Sequence, residues 1–261
     1  KEYDSAQIFS SSPMQQIFME QTVSLEETNR LALEWLSIWT WSVRWYKPLQ
    51  KEEFSVGLDP GGRIVRFSHK ILESDEGASL EQDGAHTIAK EFLEEQQQFD
   101  LGGYELIEWT SKERKARIDH TFTYRRNGFK VGDDGHYRLE VLVQGDRVGR
   151  FREYLKVPET FSREYREVRS RANFLTSVFS VFWLALVVAM LVVLIRAFKT
   201  QVLQWRTGKI VGILVAVATA AGTLNSIPLV SFSFDTTSST SAFLMLFLVT
   251  SLISAVMLGG V

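Results

Sequence analysis

The side chains best suited to proton transfer or metal ligation in this chain are its four histidines and its paired acids. Strand-like alternation puts His120 on one side with Ile118, Phe122 and Tyr124, and His69 with Val65, Phe67 and Ile71. Histidines on apolar faces read as satisfied core or edge residues; the other reading makes Asp119-His120 a metal or general-base pair. His86 flanks a helix face, and His136 follows Asp133-Asp134-Gly135 in a turn. No two histidines have the i, i+4 spacing of a helical zinc protease site. The chain has no cysteine, which removes thiolate nucleophiles, disulfides and thiolate zinc sites.

The acidic pairs offer little more. Glu26-Glu27-Thr28-Asn29-Arg30 approaches a paired-glutamate-plus-arginine protease motif but is one residue short. It sits where a helix begins, so solvated surface accounts for it. Glu94-Glu95 leads into a glutamine run. Asp133-Asp134-Gly135 lacks the further ligands and closing glutamate of a calcium loop. There is no phosphate-binding glycine loop, nucleophile elbow or serine triad pattern. These residues assign no catalytic, cofactor-binding or metal-ligating side chain.

Trp35, Trp39, Trp41, Trp45 and Tyr46 crowd one short stretch. They read either as a helix end and first strand packed into the core, or as a wall for an extended peptide or for lipid headgroups.

The elements that would position these groups are marked by caps and alternation. Ser24-Leu25-Glu26-Glu27 and Ser79-Leu80-Glu81-Gln82 are capping boxes that predict helices starting there. Leu25, Leu31, Ala32, Trp35 and Leu36 form an apolar face on the first helix, matched by Ala85, Ile88, Ala89, Phe92 and Leu93 on the second. Phe54–Leu58 turns into Arg63–Phe67, and Leu139–Val143 turns into Arg147–Phe151, nearly residue for residue. Tyr104–Glu113 and Arg117–Arg126 supply another strand pair. The expectation is an α+β class: a tandem of helix-plus-antiparallel-sheet units, each helix covering its own strands, followed by all-α helices.

Composition divides sharply near Asn173. From Phe174 to Val261 the only charges are Arg196, Lys199, Arg206, Lys209 and Asp235. They separate three uncharged runs, 174–195, 210–234 and 242–261, each long enough for a bilayer core that needs about 20 apolar residues. The boundaries read as a 1–22 linker from an upstream anchor, a 23–158 soluble domain, a 159–173 juxtamembrane helix and a 174–261 transmembrane region. Lys1 is no initiator methionine and Val261 falls within an apolar run, so the expectation is the front part of a longer chain. The basic connection Arg196–Lys209 is expected in the cytoplasm and the soluble domain outside it. The arginines at 163, 166, 169 and 171, diluted by Glu164 and Glu167, oppose this. Thr219, Thr223, Asn225 and Ser226 give the second run a polar stripe, as helix-packing glue or as a cavity wall. A net charge of −2 and the lack of a basic, aromatic-interleaved run give no case for nucleic acid. The lipid bilayer is the expected partner.

The helix-then-meander unit over Val23–Pro158, repeated before a membrane region, resembles the PepSY-like modules of bacterial envelope proteins and secreted-peptidase propeptides. That resemblance implies a regulatory or binding module. The whole order of elements, with the basic loop ending Trp205-Arg206-Thr207-Gly208-Lys209, the span ending Asn225-Ser226-Ile227-Pro228, and Ser233-Phe234-Asp235 beyond, resembles the front part of CPBP-family membrane proteases, the CAAX prenyl endopeptidase relatives. The resemblance implies a bacterial inner-membrane protein and an EExxxR motif with later histidines on downstream helices. A divalent metal would be held there, and peptide or protein would be the substrate. None of those catalytic residues is present here. The expected function is thus the regulatory or substrate-presenting front part of such an endopeptidase. The alternative is a non-enzymatic envelope sensor or transporter-associated subunit that binds peptide or a protein partner.

Overall fold

The computed structural model describes residues 3–132, 134–200 and 205–259. The chain forms two compact units, Lys1–Arg163 and Glu164–Val261. The first is built on one eight-stranded antiparallel sheet. Its strands are β1 (Asp4–Ser11), β2 (Trp39–Tyr46), β3 (Glu53–Leu58), β4 (Ile64–Lys70), β5 (Tyr104–Glu113), β6 (Ile118–Arg126), β7 (His136–Gln144) and β8 (Arg147–Lys156), in spatial order β1-β2-β3-β4-β8-β7-β6-β5. Three helices belong to this unit: α1 (Pro13–Thr22), α2 (Leu25–Glu34) and α3 (Gln82–Glu91), the last running into a π turn at Phe92–Gln96.

Both expected hairpins are present, as β3–β4 and β7–β8. The two halves of the sheet are related by exchange of β1–β4 with β5–β8, which reverses the strand order onto itself. At the seam Phe67 lies opposite Phe151, flanked by Arg66 opposite Arg152 and Ser68 opposite Arg150. Phe67 and Phe151 are matching positions of the two hairpin motifs, so a local pseudo-twofold axis passes between them. Phe92 caps this point with edge-on rings 5.5 Å from Phe67 and 5.6 Å from Phe151.

Sequence and structure differ at several places. Residues 1–22, expected as a linker, hold β1 and α1. β1 is an edge strand, where one partner and one buried face suffice, and its polar alternation reads like linker in sequence. Ser24 caps α2 as expected, its Oγ accepting from the Glu27 amide at 3.2 Å. Glu27 does not close the box: its carboxylate pairs with Arg30. Ser79 caps nothing; α3 begins at Gln82 behind Glu81. The second expected helix, α3, covers strands of its own half, as expected. α3 lies on β6, β7 and β8, and α1 joins them at the β7–β8 end, where Gln15 donates to the Leu155 carbonyl at 3.3 Å and Phe18 meets Phe161. By register Phe9, Trp39 and Trp41 share the face of Phe67 and Phe151 but lie beyond the helices, and each remains over 40% exposed.

A buried clamp fixes the connection between the halves. Arg117 and Arg114 each donate to Asp119 at 2.8 Å, and Arg117 Nη1 reaches the carbonyls of Leu72 and Asp75 at 2.9 and 2.7 Å. Arg117 and Asp119 are both almost fully buried.

The second unit is helical. α4 (Glu159–Lys199) joins the expected juxtamembrane and first apolar segments in one helix, with Arg163–Glu159 and Arg171–Glu167 pairs along its charged start. α5 (Trp205–Phe232) contains Pro228, and α6 is Thr240–Gly259. Two helices, Glu159–Ala197 and Gly208–Phe232, are long and apolar enough to cross a membrane. Thr240–Ser251 of α6 is a shorter apolar stretch. Most of the large apolar side chains from Phe174 to Leu229 are exposed. In the second run Thr219 and Ser226 hydroxyls donate to the Val215 and Thr223 carbonyls of their own helix. Residues 201–204 of the basic connection and 260–261 of the third run lie outside the described residues.

Phe151 is fully buried beneath Phe92 and Phe99 at the seam. Phe151→Ala should cost about 3–5 kcal/mol, read by denaturant unfolding of the full chain in detergent, with the half-buried Phe67→Ala costing less.

Candidate functional site

The histidines resolve first. Trp109 Nε1, which can only donate, gives its hydrogen to His120 Nδ1 at 3.2 Å. The His120 proton therefore sits on Nε2 and is donated to the Leu80 carbonyl at 2.9 Å. Both ring nitrogens are used, and the neighbouring Asp119 is taken up by two arginines. His120 thus links Trp109 of β5 and the Leu80 carbonyl to β6. His69 pairs with Glu52 at 2.9 Å and stacks on Phe54, with Tyr3 donating to the same carboxylate at 3.1 Å. Burial and then nearby Arg125 and Arg138 hold His136 below its ordinary pKa. Among the described residues no three His, Asp or Glu side chains gather as a metal site. Arg30 pairs with Glu27 and Glu34 on the open surface of α2. Gly135 exchanges backbone hydrogen bonds with Val131, closing the expected turn; Asp133 lies outside the described residues.

The tryptophan cluster divides between its two readings. Tyr46 is buried, while Trp39 and Trp41 are exposed, Trp39 stacked on Phe9 and Trp41 tilted against it. Trp35 and Trp39 line a cavity of about 560 Å³ with Leu33, Leu36 and Arg63. Trp35 and Arg63 also line an adjoining cavity of about 380 Å³ with Phe99, Tyr104 and Arg126. Arg126 stands with its guanidinium 4.1 Å from the centre of the Trp35 ring.

Arg63 is fixed at the wall shared by the two spaces. It donates to Glu153 at 2.6 Å, to Asp59 at 3.2 Å and to Ser37 Oγ at 3.2 Å. Tyr137 donates to the other side of the Glu153 carboxylate. Glu153 faces inward from β8, and burial pushes its pKa above the ordinary carboxylate value despite Tyr137 and Arg63. Burial and Glu153 likewise raise Tyr137. The arrangement is a groove lined by tryptophan and leucine with Glu34, Asp59 and Asp100 beside them. Arg63 has given its donors to Glu153, Asp59 and Ser37, so Arg126, stacked on Trp35, is the cation placed to meet a ligand carboxylate. Sequence reading found Trp35 and Trp39 but missed Arg63, Arg126, Tyr137 and Glu153. Arg63 and Glu153 are 90 positions apart, and only the seam brings them together. The repeated Arg63-Ile64-Val65-Arg66-Phe67 motif was the available signal.

Residues 16–135 match the family model described as the YcdB, YcdC repeated domain. The matched span runs from within α1 through β6 and stops before β7, so it takes in strands of both halves but not β8, and it contains Trp35, Trp39, Arg63, Tyr104 and Arg126. No curated protein and no solved structure matches the chain.

The raised pKa of Glu153 sets a sign for stability. The folded state holds this proton more tightly than the unfolded chain, whose glutamate titrates near about 4.3. This contribution is present below the unfolded pKa and is lost as pH rises through the folded one. Glu153→Gln keeps an acceptor for Tyr137 and Arg63 without the charge. It should flatten that fall in an unfolding series from acid to neutral pH.

Proposed function

We propose that the sheet unit is a membrane-tethered binding module that receives an extended polypeptide in the Trp35–Arg63 groove. The observation that carries this reading is the juxtaposition of the half-buried Trp35 and exposed Trp39 indoles with Arg126 stacked on Trp35, beside the fixed Arg63. Carboxylate-bearing apolar peptide fits such walls, with charge-assisted bonds fixing its register. The apolar helices on the same chain support a setting at a bilayer. On the resemblance drawn from element order, the module regulates or presents substrate to a CAAX-type membrane endopeptidase, outside the cytoplasm of a bacterial cell. The catalytic glutamates, histidines and any divalent metal would belong to other helices of that enzyme. The second reading, an envelope sensor, is favoured by a separate cavity described below.

A peptide array probed with the full chain in detergent tests the groove. Peptides with an acidic residue among apolar ones should be retained. Trp39→Ala and Arg126→Ala, neither of which touches Glu153, should weaken retention about tenfold or more without altering the circular dichroism spectrum. An unchanged retention profile would remove the groove from the function.

The orientation is tested separately. In a chain without cysteine, Ser238→Cys should react with an impermeant thiol reagent on intact cells, and Lys199→Cys should not. The reverse pattern would place the sheet unit in the cytoplasm.

A further inference from the structure

Beyond Tyr104 lies a third cavity, of about 350 Å³, between α3 with its π turn and strands β5 and β6. Its lining includes His86, Lys90, Glu94 and Tyr124, with Leu101 and Leu106 as apolar wall. Tyr124 is 3% exposed, yet its hydroxyl has no hydrogen-bond partner among the described residues, and neither does the buried Nε2 of His86. The rings of His86 and Tyr124 are stacked with centres 6.1 Å apart. Two such orphaned polar atoms in one cavity are unusual, because a buried polar group without a partner costs about 1–3 kcal/mol. They are uncommitted to protein, and each can donate or accept.

The rim carries both signs of charge. Lys90 and Glu94 are exposed on the helix, and neither forms an ion pair among the described residues. The π turn Phe92–Gln96 interrupts the regular helix at Glu94, a feature common at functional sites. The field of each charge reaches the floor: after burial, Lys90 helps to lower the His86 pKa and Glu94 helps to raise that of Tyr124.

We propose that this cavity binds a small zwitterion of the free α-amino-acid class. The ligand carboxylate meets Lys90 and its ammonium meets Glu94. The Tyr124 hydroxyl and His86 Nε2 complete its hydrogen bonds, and Leu101 and Leu106 take its side chain. The volume sits at the low end of the range of about 300–1,000 Å³ for small-molecule sites, which favours one residue over a peptide. A simple anion would leave Glu94 against it, and a simple amine would leave Lys90.

Thermal unfolding of the full chain in detergent, with the common free L-amino acids added singly at millimolar concentration, tests this. At least one should raise the midpoint, while the amine and the carboxylic acid that each carry half of its charge pattern should not. Lys90→Gln and Glu94→Gln should each weaken the amino acid about tenfold or more in calorimetry. Tyr124→Phe is the deciding variant: it should abolish the ligand shift while the unliganded protein unfolds at the same or a higher temperature, since it removes a buried hydroxyl with no partner. The proposal is overturned if no amino acid shifts the midpoint, if the shift survives Tyr124→Phe, or if Tyr124→Phe lowers the unliganded midpoint.

Discussion

The sheet is continuous because β4 pairs with β8 along a ladder of three residues, Arg66–Arg152, Phe67–Phe151 and Ser68–Arg150. A ladder so short holds little by its backbone bonds, so side chains on its two faces must carry the joint. On the inner face Phe67, Phe92, Phe99 and Phe151 form a ring cluster that buries Phe151 completely. The outer face poses a harder problem, because the seam sets Arg66 directly opposite Arg152 and like charges so placed repel. The two side chains leave in opposite directions. Arg152 turns to Glu140 at 2.6 Å, whereas Arg66 crosses β3 to the hydroxyls of Thr40 and Ser42. That crossing needs Gly57: a Cβ there would stand 2.5 Å from Arg66 Cγ.

This joint explains what was legible in the sequence. Strand pairs made within a hairpin depend on neighbouring residues, so Phe54–Phe67 and Leu139–Phe151 could be read from alternation and turn residues. Pairing of β4 with β8 depends on residues about 84 positions apart by the Phe67–Phe151 match, and no local pattern specifies it. The groove was illegible for the same reason, since Arg63 meets Glu153 and Tyr137 only across the seam. The cavity at Glu94 was passed over because a Glu-Glu pair before glutamines carries no spacing signal. Its meaning comes from His86 and Tyr124, which arrive from a helix and a strand.

Helix placement shows where local propensity yields to packing. Ser24 caps α2 because its hydroxyl reaches the Glu27 amide, but the same motif at Ser79 is pulled away. There Leu80 offers its carbonyl to His120, and Ala78 accepts from the Ile118 amide. Tertiary bonds to β6 hold the backbone on either side of Ser79, and α3 starts later, at Gln82. The His120–Leu80 bond and the Arg117–Asp119 clamp therefore do one job, pinning the connection between halves to β6. Removal of one partner from such a buried ion pair generally costs about 3–5 kcal/mol, so Asp119, which accepts from both Arg114 and Arg117, is held in this clamp.

The inner face then divides by function. Where α1 and α3 cover it, over β6 to β8, Phe122, Val141 and Phe151 are fully buried. Phe9, Trp39 and Trp41 continue the same face over β1 and β2 beyond the helices, and they keep over 40% of their surface open. Within this unit these rings retain open apolar area against the hydrophobic drive to bury it, about 25 cal/mol per Å². The groove begins where that open half meets the covered one, at Trp35 and Arg63. Within this unit Arg63, half exposed at that boundary, is reachable from solvent beside Trp39.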